Sequence, residues 1–357
     1  MTSPPLSVDR LDDPENLPRM AEAWNSLLKD CPGRTIFQTL EWSKVLLEHY
    51  RKEVTPFILT VREGERTRGI APLMLMKIRR RALPLRVLSF IQVSARGFSP
   101  CADIVYDGAR ECLHALVNYL FRHDGEWDVA WLDGVPSDSP TLAHLRETMS
   151  PSSLSITESF SSYYLAMDKP WEAYIGGLSK KTRHTLRNGS NRICREGMVT
   201  VPTHMDPSEV LSGLSRVFDL YGRSWKKEQI SDNLKSQYLA LAEALGPRGQ
   251  FELSFLELNG RAIASVIALH HMGKVYGFDM EYDRVYDHLS PGSMLLWRMI
   301  ENWTRRGCSE IDFLSKDPAF ERWTDTKRTY YRIAIFNRRP YSRFLKFGLN
   351  NHFFKIR

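Results

Sequence analysis

One order of elements occurs twice in this 357-residue chain, and it restricts the fold more than any single motif does. Residues 57–75, "FILTVREGERTRGIAPLML", read as a strand, a turn at Gly64 and a second strand. Residues 255–269, "FLELNGRAIASVIAL", repeat that plan around Asn259-Gly260, a dipeptide suited to two-residue hairpin turns. Each hairpin is followed by an apolar helical run, a glycine break and a short strand carrying an acid. These are "CLHALVNYLFRHDGEWDVAWLDG" (112–134, break at Gly125) and "LLWRMIENWTRRGCSEIDFLSK" (295–316, break at Gly307). Hairpin, helix, strand, repeated at long range, predicts two copies of one α/β unit. The Ser/Pro-rich stretch from Pro136 to Ser162 is the expected junction, with units at 1–150 and 151–357.

The remaining pattern is helical. Residues 15–29 and 39–50 are predicted helices, the second capped by Thr39. Pro170–Arg195, Pro207–Trp225 and Asp232–Leu245 follow, the last ending at Gly246-Pro247, with Asn188-Gly189 predicted to break the first. Apolar residues at 43% and charged residues at 25% are those of a globular enzyme rather than a disordered or fibrous chain. Nothing approaches the ~18–20 consecutive apolar residues of a membrane-spanning helix. The start, "MTSPPLSVDRLDDPENLPRM", has no basic-then-apolar export pattern. Five scattered cysteines without metal-ligand spacing predict free thiols and a cytoplasmic location. The net charge of +7 suits an anionic ligand such as a nucleotide, a phosphorylated sugar or RNA.

At Ser290-Pro291-Gly292-Ser293 polar and aromatic residues give way to an apolar run. Ser290 is an expected N-cap and Pro291 fits the first helical position. The amides of Gly292, Ser293 and Met294 would then face out of the positive end of the helix dipole, where an anion binds. A well-capped core helix fits the same four residues.

The surrounding order carries more. The hairpin, the strand "KVYGFDMEY" (274–282), the quartet and its helix, "SEIDFL" (309–314) and "YYRIAIFN" (330–337) follow the order used by acyl-CoA-dependent acyltransferases of the GNAT superfamily. The blocks "IFQTLEW" (36–42), "GIAPLML" (69–75), "LSKKTRHTLR" (178–187), "EYDRVYDHLSPGSMLL" (281–296) and "RGCSEIDFL" (306–314) resemble the CelD-type subgroup associated with bacterial cellulose and polysaccharide synthesis. More distantly they resemble Fem-type aminoacyl transferases. The resemblance implies an α/β fold of two tandem GNAT-like units, each a mixed, mostly antiparallel sheet flanked by helices. It implies acyl-CoA as co-substrate, no permanently bound cofactor, and pyrophosphate at Ser290, Gly292, Ser293 and Met294. One block departs from the family. "FLSKDPAFERWT" has Lys316 where relatives carry Gly, and Phe320-Glu321 where they carry Tyr-Lys, while Trp323 remains.

Acyl transfer to an amine needs a held thioester and a base for the incoming amine. Asp279, Glu281 and Asp283 share one strand face, where mutual repulsion would raise at least one carboxyl toward a useful base, unless that face is solvated. Glu281 is the preferred base and Asp312 the second candidate. "LSKKTRHTLRNGSNRICREG" carries Lys180, Lys181, Arg183, Arg187, Arg192 and Arg195 with no acid before Glu196. Such a run is either a solvated face or a clamp for an anionic acceptor, with Lys181, Arg183 and Arg187 as contacts and Trp225 as the aromatic beside the acceptor. His270-His271 lacks a third ligand at a useful spacing and no cysteine sits in a nucleophile-like turn.

Three function classes follow. The first is an N-acyltransferase using acyl-CoA on an amine acceptor, carried or phosphorylated. The second is a Fem-type transferase taking its group from aminoacyl-tRNA. The third is a non-catalytic scaffold. In the first copy the equivalent turn, "YDGARE" (106–111), lacks Ser-Pro-Gly, so only the second is expected to hold the donor. The basic, aromatic tail "RRPYSRFLKFGLNNHFFKIR" reads as an amphipathic terminal helix.

Overall fold

The computed structural model describes residues 5–80, 83–92 and 101–349; the end of the basic tail, 350–357, lies outside them. The chain divides into two compact units, Met1–Phe160 with Thr329–Arg357, and Ser161–Arg328. In chain order the first part contributes β1 (Leu6–Leu11), α1 (Ala21–Asp30), α2 (Leu40–His49), β2 (Val54–Glu63), β3 (Arg66–Arg80), β4 (Leu83–Phe90), β5 (Val105–Tyr106), α3 (Arg110–Arg122), β6 (Val129–Pro136), α4 (Pro140–Thr148) and β7 (Leu154–Ala166). Then come α5 (Trp171–Gly177), α6 (Lys180–Glu196), β8 (Val199–Thr200), β9 (Thr203–His204), α7 (Pro207–Arg223), α8 (Asp232–Leu245), β10 (Phe251–Leu258), β11 (Arg261–His271), β12 (Lys274–Tyr282), α9 (Pro291–Arg305) and β13 (Glu310–Asp312). The chain closes with β14 (Lys327–Phe336) and α10 (Pro340–Leu349). The stretch expected to be a junction holds α4 and most of β7, and the division at Phe160/Ser161 falls within it.

The first unit has the strand order β1-β2-β3-β4-β6-β14 and the second β8-β10-β11-β12-β13-β7. In both, an antiparallel series ends in one parallel pair, β4 with β6 and β12 with β13. An antiparallel strand then covers the far edge: β14 on β6, β7 on β13. Helices α3 and α9 make the crossovers that a parallel pair requires. Each unit is thus a mixed, mostly antiparallel sheet flanked by helices, as the family resemblance implies. The unit boundary differs from the one expected at residue 150. β6 needs a partner on its far side, and Tyr330–Phe336, from the other end of the chain, supplies it. Tyr330, Ile333, Ile335 and Phe336 are buried there.

In the second unit β11 is apolar along both faces and buried along nearly its whole length. Helix α9 packs on one face of this sheet and α7 on the other. Helix α9 buries Met294, Leu295, Leu296, Met299, Ile300 and Trp303, the three-and-four spacing of a core-facing stripe. Each such side chain contributes roughly 1.5–3 kcal/mol through burial.

Helix α6 runs through Asn188-Gly189 without the predicted break. It crosses α9 at that point: a Cβ on Gly189 would lie 2.8 Å from Met294 Cε. The glycine serves close approach rather than a turn. Leu186, Gly189 and Ile193 are the buried stripe of α6, and its basic residues occupy the rest.

Candidate active site

Strand β12 is the backbone of the site. It pairs with β11 from Lys274 to Tyr282, with a bulge at Phe278, since Ile267 faces Asp279 and Ala268 faces Gly277. On its other side it pairs with β13 for three residues only, Lys274–Tyr276 against Glu310–Asp312. Beyond Asp312 the chain stays with β7. Phe313 N–H bonds to the Tyr163 carbonyl at 3.0 Å and Tyr163 N–H to the Ser315 carbonyl at 2.9 Å. Leu314 takes a left-handed conformation at φ 49° at this divergence, a costly position for a branched side chain. Two parallel strands therefore fork, and the second half of β12 has no strand on that side among the described residues. Because Asp283 donates its N–H to Ile263, strand alternation turns the backbones of Met280 and Tyr282 to the open side.

Asp312, the second candidate base, is the fastener of this fork. Its buried carboxylate accepts the Ser162 hydroxyl at 2.5 Å and the Leu314 N–H at 2.8 Å, with Arg328 at 3.5 Å. A carboxylate so occupied holds the turn at Leu314.

Glu281 lies in a different setting. Asp279, Glu281 and Asp283 share one strand face as predicted, yet all three are buried rather than solvated. That face meets α7, whose end delivers Lys226. Lys226 Nζ donates to Glu281 Oε1 at 2.5 Å and to the Met280 carbonyl at 3.1 Å, and lies 3.5 Å from Asp279 Oδ1. Asp279 Oδ2 accepts the Tyr221 hydroxyl at 2.5 Å and the Tyr238 hydroxyl at 3.0 Å. Asp283 is paired with Arg223 at 2.8 Å and Arg261 at 3.1 Å, and also accepts from Val285 N–H. Of the three, Glu281 retains an oxygen, Oε2, that is buried and without a hydrogen-bond partner. Burial, and then the neighbouring Asp279, push the Glu281 carboxyl above the ordinary glutamate range, against the pull of Lys226. Lys226 thus stands between two buried carboxylates, and the free oxygen of Glu281 is the one left without a partner. Trp225, next in the chain to Lys226, is 58% exposed, and Lys226 Nζ lies 5.3 Å from its ring. Burial in the core, the usual fate of such a tryptophan, is excluded here.

The opposite face of β12 meets the start of α9. A Cβ on Gly292 would sit 3.5 Å from Tyr282 and 3.7 Å from Met280. Ser290 does not cap this helix. It adopts a left-handed conformation at φ 52°, its side chain makes no capping bond, and its N–H closes the preceding turn onto Asp287. The three-amide cradle expected from sequence is also reduced to two, because Met294 N–H bonds to the Ser290 carbonyl at 3.1 Å. Gly292 and Ser293 N–H carry no partner among the described residues. Over them lies Arg322, whose guanidinium donates to Ser293 Oγ at 3.1 Å. A cation at the positive end of a helix is unfavourable unless an anion lies between them.

Sequence reasoning missed Lys226, Arg322 and the Tyr221–Tyr238 pair. Lys226 stood in view beside Trp225 in "SWKK". Arg322 belongs to the block that departs from the family. In the fold that block is well anchored: Phe320 stacks on Phe313 at 4.7 Å, and Glu321 accepts the Tyr163 hydroxyl. Of the predicted acceptor contacts, Lys181 and Arg187 are exposed on α6. Arg183 is instead turned back to the Gly176 carbonyl of the preceding helix, α5. His270 lies 3.1 Å from the buried Glu252, at the far end of α9 from the quartet.

Comparison with known proteins follows the same lines. Residues 180–323 match the acetyltransferase (GNAT) domain family. That segment contains β12, α9, Lys226 and Arg322. Across most of the chain the fold is similar to that of several solved structures. FemX aligns with a TM-score of 0.63 at 14% identity, over 89% of this chain and 96% of that one. L-PGS from Bacillus licheniformis aligns at 0.56 and 14% identity, over 95% and 97%. The C-terminal domain of a putative lysylphosphatidylglycerol synthetase from Agrobacterium fabrum aligns at 0.56 and 10% identity, over 93% and 96%. No curated protein sequence matches the chain. The family match supports transfer of acyl-type groups in the general sense, and no helix among the described residues is long and apolar enough to cross a membrane.

Proposed function

We propose that the second unit is an N-acyltransferase that moves an acyl group from acyl-CoA to an amine by direct attack. The fork between β12 and β13 carries this reading, because it leaves open strand edge directly beside the start of α9. The pantetheine amides would pair with the unpaired strand edge at Met280 N–H and Tyr282, beside the Met280 carbonyl that Lys226 already holds. The pyrophosphate would lie on the Gly292 and Ser293 amides under Arg322. The acceptor would approach from the other face, past Trp225, where Glu281 and Lys226 sit.

In the reaction the amine nitrogen attacks the thioester carbonyl. The C–N bond forms, the C–S bond breaks, and CoA leaves as its thiolate. Glu281 takes the proton the amine loses, and Lys226 holds the carboxyl in place toward the open edge. In the first unit, among the described residues, Gln92, just past β4, donates its side-chain amide to the Asp133 carbonyl of β6 at 2.8 Å. That bond bridges the two parallel strands where the other unit forks. The donor site is thus assigned to the second unit.

The test is release of free CoA thiol from acetyl-CoA against a panel of amines, with mass spectrometry of the protein. Amine-dependent thiol release without an acyl-protein adduct supports direct attack. A covalent acyl-protein would replace it with a two-step mechanism. A second reading has its own support, since Lys181, Arg187, Arg192 and Arg195 are exposed beside the proposed donor site and FemX shares the fold. In that reading an aminoacyl-tRNA would be the donor. It predicts that CoA fails to bind while charged tRNA does. The CelD-type resemblance directs the search for acceptors to amines on polysaccharide-linked carriers.

A further inference from the structure

Three of the five large apolar side chains that stand exposed among the described residues gather at one end of the second unit. They are Met198 at 67%, Trp225 at 58% and Val285 at 75% exposure. Hydrogen bonds tie their segments together. Met198 exchanges backbone bonds with Asn259, through its N–H to Oδ1 at 2.9 Å and its carbonyl to Asn259 N–H at 2.8 Å. Arg261, on the same hairpin, reaches Asp283 at 3.1 Å; Asp283 caps Val285 N–H at 3.1 Å. Arg223, two residues before Trp225, reaches the same carboxylate at 2.8 Å. The hairpin tip, the turn after β12 and the end of α7 therefore converge.

The charge at this end is one-sided. Helix α6, which ends two residues before Met198, packs on α9 and on the 284–289 turn. Its outward face carries Lys180, Lys181, Arg187, Arg192 and Arg195, all exposed, with no acid in the helix before Glu196. None of these five has a carboxylate partner among the described residues. Arg284 is also exposed beside Val285. The exposed acids nearby, Glu196, Asp287 and Glu228, are fewer.

We infer that this end of the unit docks on an anionic phospholipid surface. Cations alone would serve any polyanion. Isolated methionine, valine and tryptophan side chains projecting among them suit the acyl boundary of a bilayer, where apolar tips insert while arginine and lysine hold the headgroups. Three apolar tips give a shallow, reversible attachment rather than a span. The acceptor entrance at Trp225 lies within this surface, so an amine presented on a lipid would reach Glu281 without leaving the interface. That last step rests on the acyl-transfer reading; the docking does not.

The experiment is flotation of the full chain with vesicles of phosphatidylcholine alone and of phosphatidylcholine with phosphatidylglycerol. Binding to the anionic vesicles, lost at high salt, is the expected result. Arg192→Glu with Arg195→Glu should weaken it about fivefold or more per reversed charge. Met198→Asp with Val285→Asp should weaken it strongly without altering the melting temperature, as both side chains stand in solvent. Binding to RNA that survives the Asp substitutions, with no flotation on anionic vesicles, overturns the inference in favour of a nucleic acid. Failure to bind either also overturns it. Thiol release with a water-soluble amine is read in parallel, so that loss of docking and loss of chemistry are separated.

Discussion

Lys226 holds two buried carboxylates and an edge carbonyl, so its replacement has an electrical as well as a steric consequence. Burial and Asp279 already raise the Glu281 carboxyl, and Lys226 opposes them. Removing the cation in Lys226→Met should move the acidic limb of kcat/KM to higher pH, while Lys226→Arg keeps it near the original position. Glu281→Gln should lower kcat by about 10²–10⁴ with little change in CoA affinity. Both are read from pH–rate profiles. A second buried acid concerns stability alone. Asp103 in the first unit is pushed up to about 6 by burial, against hydrogen bonds from the Ser139 hydroxyl and Ile104 N–H. Its folded value lies above its unfolded one, so the folded state holds the proton longer. The stability it contributes is complete below pH ~4 and falls as pH rises through about 6, by about 3 kcal/mol for a shift of roughly two units. Asp103→Asn should flatten the dependence of melting temperature on pH across that window.

At the scale of elements, two contacts govern the proposed donor site. The first is the crossing of α6 and α9 at Gly189 and Met294. Gly189→Val puts branched carbon where 2.8 Å separates a Cβ from Met294. It should cost about 1–3 kcal/mol in stability and loosen CoA binding as the start of α9 shifts. The second is the start of α9 itself. Ser293→Glu places a carboxylate at the positive helix end and beside Arg322, which favours the helix by about 0.3–1 kcal/mol. It should nevertheless abolish CoA binding through repulsion of the pyrophosphate. Substitution at Gly292 is the poorer probe, because its Cα already faces Tyr282 and Met280.

Much of this was legible in the order of elements: both hairpins, the crossover helices and the faces of β12 follow from periodicity and turn residues. The helix start at Pro291 was legible as well. What Ser290 does there was not, since the same residue that caps many helices here closes the preceding turn. Asn188-Gly189 misled because a glycine required by a neighbouring helix looks the same in sequence as a glycine required by a turn. Asp312 reads as a candidate base from its place at a strand end, and only Ser162, far away in sequence, shows that its Oδ1 also fastens the fork. Lys226 and Arg322 gain their meaning from β12 and α9, which no local pattern connects to them.

For the whole molecule, the main departure from sequence order is the return of β14 to the first unit. Tyr330, Ile333, Ile335 and Phe336 are buried against β6 and its neighbours. A chain ending at residue 326 should therefore lose the first unit, not the second, detected as protease cleavage concentrated in residues 1–160. Cleavage confined to 161–326 would contradict the assignment of β14. In both units the edge of the parallel pair is closed by a strand remote in sequence from its crossover helix.

The central claim, that the fork and the start of α9 hold an acyl-CoA, is tested most directly by thermal denaturation of the chain with and without CoA and acetyl-CoA. At ~100 times the dissociation constant a ligand stabilises the folded state by roughly 2.7 kcal/mol. The account predicts a clear upward shift with both ligands, absent in Ser293→Glu. No shift at millimolar CoA in the unaltered chain, or an equal shift in Ser293→Glu, would contradict it.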